Sequence, residues 1–208
     1  MSTTDSRPNF DKLPVAPKPL GPRFRKAMVY SACLHSRQAR RGTDRPYIGH
    51  LLGVAAIVLQ YGGDEDQAIA ALLHDAVEDQ GGRATLDAIR RRFGERVAKI
   101  VEGCTDAFET PKPPWLERKK KYIENVRHEP AEVRLVSAAD KLYNVREIIQ
   151  DYRVHGEAVW QRFQGGREGS LRYYRELVHA FREAESNELV EELDRAVSEL
   201  HQLAGAKI

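Results

Sequence analysis

From position 24 onward apolar residues return every three or four places, the period of a helix that buries one face. No window carries the alternating Val, Ile and Thr pattern of a half-buried strand, so the chain is predicted to be all-α. The first helix is expected over 24–38. A basic, glycine-containing loop then leads to Pro46, a residue preorganised for a first helical position, and to a strongly apolar second helix. Asp64 with Gln67 three places on has the spacing of a capping box and opens a third helix, AIAALLHDAVED, which runs until Gly81 and Gly82 stop it. Thr85 is expected to cap a short helix ending at Phe93 and Gly94, and another covers 95–105. The breaker TPKPP precedes helices over 115–128, 131–152, 156–163, 169–185 and 188–203, divided by Pro130, Gly156 and the Gly165-Gly166 pair.

Length and composition fit one domain: 208 residues, 41% hydrophobic and 31% charged. Five of the ten prolines lie between Pro8 and Pro22, so 1–22 is expected to be a flexible, proline-rich tail and 23–208 the folded domain. Cys33 and Cys104 share no C-x-x-C spacing and are expected to be small core residues in a reducing cytoplasm. A formal charge of +2 is too balanced for a dedicated nucleic-acid binder. The apolar run 51–59 is too short to cross a bilayer, and the N-terminus has no signal-peptide core, so no membrane association is expected. Oligomeric state is not legible.

Chemistry concentrates at a few positions. His74 and Asp75 follow the wholly apolar run 68–73, and both side chains can reach one ion lying over their shared edge. Alone, the pair reads as a satisfied core histidine beside a surface charge. His50 heads the apolar second helix, and Asp140 sits among Val133, Val136, Ala139 and Leu142 on an inner helical face, where it needs either a cation or an arginine such as Arg146. Together His50, His74, Asp75 and Asp140 make a mixed nitrogen and oxygen set suited to one divalent ion. Glu78 and Asp79 follow one turn later, at i+4 from His74 and Asp75, where a carboxylate can take a proton from an attacking water or return one to a leaving oxygen. Acidic residues closing a helix oppose its dipole, so a solvated helix end explains them poorly. Arg37, Arg40, Arg41 and Arg45 precede His50, while Lys141, Asn144 and Arg146 follow Asp140, and guanidinium forks suit phosphate oxygens. The runs 90–92 and 119–121 read as solvated basic faces.

The segments HSRQARRGTDRPYIGH, AALLHDAVED, FGERVAKIVEGCTD, LERKKKYIE and AADKLYNVRE, in this order, resemble the hydrolase domain of the RelA/SpoT homologues. They are most similar to the small alarmone hydrolases of the HD metal-dependent phosphohydrolase superfamily. The resemblance covers about residues 24–183 and implies an all-α HD-domain bundle of about eight to ten helices. It also implies one Mn²⁺ per chain on His50, His74, Asp75 and Asp140, a water-activating pair in Glu78 and Asp79, and nucleotide contacts at Arg40, Arg41 and Asn144. Lys141 and Arg146 are added as substrate-binding candidates. The implied activity is a cytoplasmic, stringent-response one: removal of the 3′-pyrophosphate from ppGpp or ppApp, giving pyrophosphate and a free 3′-hydroxyl. Because the chain ends soon after the resemblance, alarmone synthesis is not expected.

The segment between Arg40 and Pro46, the loop QGGRA after Asp79, and Leu51 depart from the family pattern. They fall where the base and diphosphate pocket is expected, which leaves guanine against adenine open. Alternatives are an HD phosphatase of other specificity, such as one acting on the 2′-phosphate of NADPH, a non-catalytic alarmone sensor, and an RNA-binding helical module. The intact acidic pair argues against the sensor, and the charge balance against the RNA binder.

Overall fold

A computed structural model describes residues 20–108 and 111–205. Among them the chain forms ten α-helices and a 3-10 helix: α1 (Pro22–Leu34), α2 (Ile48–Gln60), α3 (Glu65–Leu73), α4 (Ala76–Gln80), α5 (Gly82–Phe93), α6 (Glu95–Cys104), α7 (Trp115–Val126), α8 (Ala131–His155), the 3-10 helix (Gly156–Arg162), α9 (Gly166–Ala184) and α10 (Glu188–Leu203). The all-α expectation holds. Most of the proline-rich tail, residues 1–19, lies outside the described residues, while Pro22 already opens α1 and the Gly21 amide donates to Glu65 Oε1 at 2.6 Å.

Two helices carry much of the interior: α3 through a wholly apolar run, and α8 through its length, although α8 also has charged and polar positions. In α3, Ala68 through Leu73 are all fully buried, and α8 buries Val133, Val136, Ala139, Leu142, Val145 and Ile149 on several sides. Helices α2, α3, α6 and α10 all pack against α8. This central position lets α8 carry a polar group into the interior. No helix among the described residues is long and apolar enough to cross a membrane.

The boundaries differ from expectation where long-range bonds compete with the helix. α1 stops at Leu34 because 35–47 folds into a hairpin-like loop, in which Tyr47 N–H donates to Gln38 O at 2.9 Å and Arg40 N–H to Arg45 O at 2.8 Å. Pro46 is held in an isolated antiparallel bridge with Ala39, so α2 begins only at Ile48. Thr85 does not cap α5: the helix starts at Gly82, and the Thr85 hydroxyl donates to Gln80 O at 2.9 Å. Gly81 and Gly82 take φ of 129° and 60°, the left-handed region that turns α4 into α5.

Leu51 is fully buried in the helical core rather than facing a pocket. Cys33 is exposed, not a core residue. The Cys104 thiol packs near Ser137, and burial pushes its pKa up to about 11, which makes it unreactive.

Candidate metal centre and adjoining cavity

The predicted third helix is broken at the residues that matter. α3 ends at Leu73, Asp75 takes φ −94° and ψ −5°, and α4 restarts at Ala76. Adjacent side chains on an unbroken helix diverge by about 100°. The turn at His74 and Asp75 brings His74 Nε2 and Asp75 Oδ2 to 3.1 Å of each other. His50, in the first turn of α2, places its Nε2 3.3 Å from His74 Nε2 and 3.4 Å from Asp75 Oδ2. Asp140, from the middle of α8, sets Oδ1 3.2 Å from His50 Nε2 and 3.5 Å from His74 Nε2. His50, His74 and Asp140 are buried and form a group able to hold a metal ion, with Asp75 Oδ2 beside both imidazoles.

The donor set fits a divalent cation. His74 Nδ1 lies 2.8 Å from Ala71 O and must carry its hydrogen there, so Nε2 points a lone pair at two carboxylates. That arrangement is repulsive unless positive charge lies between the groups, either a metal ion or a proton on Nε2. Separations of 3.1–3.5 Å are those of neighbouring donors each about 2.0–2.2 Å from a common centre. The electrostatics agree. Burial alone would lower the His74 pKa, but Asp75 and Asp140 raise it well above its ordinary value. Burial likewise works against both carboxylates, yet His74 and His50 hold Asp75, and Lys141 with the two imidazoles holds Asp140, well below the usual range.

A second layer of groups orients the carboxylates. The Tyr47 hydroxyl donates to Asp75 Oδ2 at 2.5 Å, Lys141 Nζ to Asp140 Oδ2 at 2.6 Å, and Asn144 Nδ2 to Asp140 Oδ1 at 2.5 Å. Tyr143 packs edge-on to His50, and its ring lies against Gly53, where a Cβ would come within 1.9 Å.

A cavity of about 440 Å³ adjoins this cluster, lined by Arg40, Arg41, Asp79, Lys119, Lys141, Asn144 and the rings of Tyr47, Trp115, Tyr173 and Tyr174. Its arginines are not equivalent. Arg40 lies over Tyr47 and is engaged by Asn144 Oδ1 at 2.6 Å and by Glu147, while Arg45 and Arg162 both pair with Asp151. Arg41 is exposed at the cavity with no ion pair among the described residues.

Of the acidic pair, Asp79 is the one at the cavity. Glu78 Oε1 pairs with Lys112 Nζ at 2.7 Å. Asp79 lines the cavity, and burial together with Asp75 and Glu78 raises its carboxyl above the ordinary value, opposed by the Gln38 hydrogen bond.

Of the eleven metal, catalytic and substrate-binding candidates, nine form the cluster or line its cavity, Glu78 stands beside Asp79 on Lys112, and Arg146 lies elsewhere. Its guanidinium pairs with Glu192 on α10 at 2.8 Å, and it lines a different surface groove. Lys119 is also not a solvated charge: it pairs with Asp106 at 2.9 Å, lies over the Tyr122 and Tyr173 rings, and lines the cavity. The loop 40–46 contributes to the cavity as expected, whereas the QGGRA loop contacts it only through the bond from Gln80 to Gln38. Tyr47, Gln38, Lys112, Trp115 and Tyr173 were not foreseen. Only Tyr47, three places before His50, carried any signal in the chain.

Comparison with known proteins places the chain in a family. The HD domain family matches residues 27–171. The guanosine-3′,5′-bis(diphosphate) 3′-pyrophosphohydrolase MESH1 of Xenopus tropicalis is 42% identical over 126 residues, covering 59% of this chain and 68% of that one. The human MESH1 is 40% identical over the same shares. Among solved structures, a metazoan ortholog of SpoT that hydrolyses ppGpp superposes with a TM-score of 0.72 at 27% identity, covering 90% of this chain and 98% of that one. The lmo0812 protein of Listeria monocytogenes gives 0.62 at 32% identity, with 76% and 99% covered.

Proposed function

Because the chain belongs to the HD domain family, we propose that it is a divalent-metal-dependent hydrolase that removes the 3′-pyrophosphate of ppGpp. Water adds to the phosphorus next to the 3′-oxygen, that P–O bond breaks, and the products are pyrophosphate and GDP. The observation that carries this reading is the convergence of His50, His74, Asp75 and Asp140 on one point beside a cavity that is basic and aromatic together.

The four side chains would hold the ion, taken here as Mn²⁺; when bound it supplies Lewis acidity and a water activated near neutral pH. Tyr47, Lys141 and Asn144 keep the carboxylate oxygens of Asp75 and Asp140 turned toward that point. Glu78 and Asp79 take the proton from the attacking water and return it to the departing 3′-oxygen. A carboxyl whose pKa is raised by burial, as in Asp79, is better matched to both transfers than an ordinary one. Arg41 and Lys119 neutralise phosphate charge, with Arg40 and Asn144 shaping the wall behind them. Trp115 and Tyr173, in edge contact at 6.2 Å, offer flat faces to a purine. The two cysteines are free thiols, which suits the cytoplasmic location that belongs to this proposal.

The test is a substrate panel. Mn²⁺-loaded protein is incubated with ppGpp, ppApp and NADPH, and released pyrophosphate and phosphate are measured separately. Pyrophosphate from ppGpp supports the reading. Phosphate from NADPH alone would move the enzyme to the phosphatase alternative.

A further inference from the structure

The acidic pair does not stand free: Asp79 is tied to the turn that follows α1. Gln38 Nε2 donates to Asp79 Oδ2 at 2.8 Å. The same amide is fixed from its other side, because Gln38 Oε1 accepts from Gln80 Nε2 at 2.5 Å and from His35 Nδ1 at 2.7 Å. With two donors on Oε1, the amide cannot flip without losing both bonds, so its N–H is committed to Asp79. The backbone is pinned as well, with Gln38 N–H on His35 O at 3.0 Å and Gln38 O accepting from Tyr47 N–H at 2.9 Å.

His35 completes the arrangement. It is buried, its Nδ1 must carry the proton it gives to Gln38, and its ring stacks on Tyr47 at 5.3 Å and 18°. Tyr47 in turn holds Asp75. One turn of chain therefore reaches both a candidate ligand and a candidate proton carrier. Gln38 and Asp79 both line the cavity, so the bond between them lies within the site.

We propose that Gln38 is a positioning residue for Asp79, aiming its carboxylate into the cavity, and that His35 fixes the direction of the Gln38 amide. This rests on the catalytic role of Asp79 proposed above. A charge-assisted hydrogen bond lost from a reacting carboxylate corresponds to roughly a ten- to hundredfold loss of turnover.

The test is a double-mutant cycle on the full, Mn²⁺-loaded chain with ppGpp as substrate. Gln38→Leu is expected to lower kcat roughly ten- to hundredfold while KM and bound metal stay within about twofold. In an Asp79→Asn background the same change should cost less than about twofold, since its target is already disabled. His35→Phe, which keeps a ring against Tyr47 but has no Nδ1–H, should lower kcat in the same direction and add nothing to Gln38→Leu. Two results overturn the proposal: a Gln38→Leu enzyme with parental kcat, or losses from Gln38→Leu and Asp79→Asn that simply multiply. Parental turnover by Asp79→Asn alone would overturn it together with the reading beneath it, whereas the first two results leave that reading in place.

Discussion

The Tyr47 hydroxyl donates a 2.5 Å hydrogen bond to Asp75 Oδ2, joining the loop before α2 to the turn between α3 and α4. Burial and Asp75 together push the Tyr47 phenol far above its ordinary pKa, so it stays a donor at every working pH. Tyr47→Phe keeps the ring that stacks on His35 and leaves Asp75 free to turn. Metal affinity is expected to fall about 10–100-fold with the fold intact. A Mn²⁺ titration beside circular dichroism checks this, and parental affinity would mean that Tyr47 does not orient the ligand.

Glu78→Gln and Asp79→Asn remove proton-handling capacity from groups placed beside the metal cluster, not within it. Both variants are expected to bind the ion normally and to lose about 10²–10⁴ in kcat. Elemental analysis and initial rates on the same preparations separate the two effects. Metal loss matching the loss of rate would make the pair part of the ligand set instead.

Arg41 is the cavity arginine without an ion pair, and its removal exposes no buried acid. Arg41→Ala should raise KM for ppGpp roughly ten- to hundredfold, the value of a charge-assisted contact of about 1.5–3 kcal/mol. Arg146→Ala, which breaks a surface pair with Glu192, serves as the control and should leave KM unchanged. Steady-state kinetics on both variants decides.

Much of this site was legible in the chain because it rests on local rules. The capping box of Asp64 and Gln67 forms as its spacing predicts, the wholly apolar run of α3 is buried, and the inner face of α8 around Asp140 is buried with it. The break at His74 and Asp75 was not legible: AIAALLHDAVED satisfies helical periodicity throughout, and nothing in it marks the turn that brings two adjacent side chains to one point. Arg146 and Lys119 were misjudged for a related reason. Their partners, Glu192 and Asp106, are set by how α10 and the segment after α6 fold against them, and that pairing leaves no trace in local sequence.

Asp64 also gives a stability test, since α3 delivers His74 to the site. Asp64→Ala removes the bond to the Gln67 amide and the pair with Arg96, and should cost about 0.5–2 kcal/mol without altering metal affinity. Burial works against the Asp64 carboxylate, but the Gln67 amide and Arg96 hold its pKa below the ordinary value. The stabilisation is thus present above the unfolded carboxyl's pKa and lost as pH falls through the folded one, so the gap between parent and variant should narrow below about pH 4. Urea denaturation at pH 7 and at successively lower pH measures it, and a gap that is constant with pH would contradict the cap.

Product analysis of ppGpp hydrolysis reads directly which bond breaks. Mn²⁺-loaded protein is mixed with ppGpp, and the products are resolved by phosphorus NMR. Cleavage at the 3′-oxygen gives GDP and pyrophosphate in equal amounts, with no orthophosphate and no intermediate carrying a single 3′-phosphate. Stepwise release of orthophosphate, or an inert protein whose four-residue site is filled with metal, would contradict it.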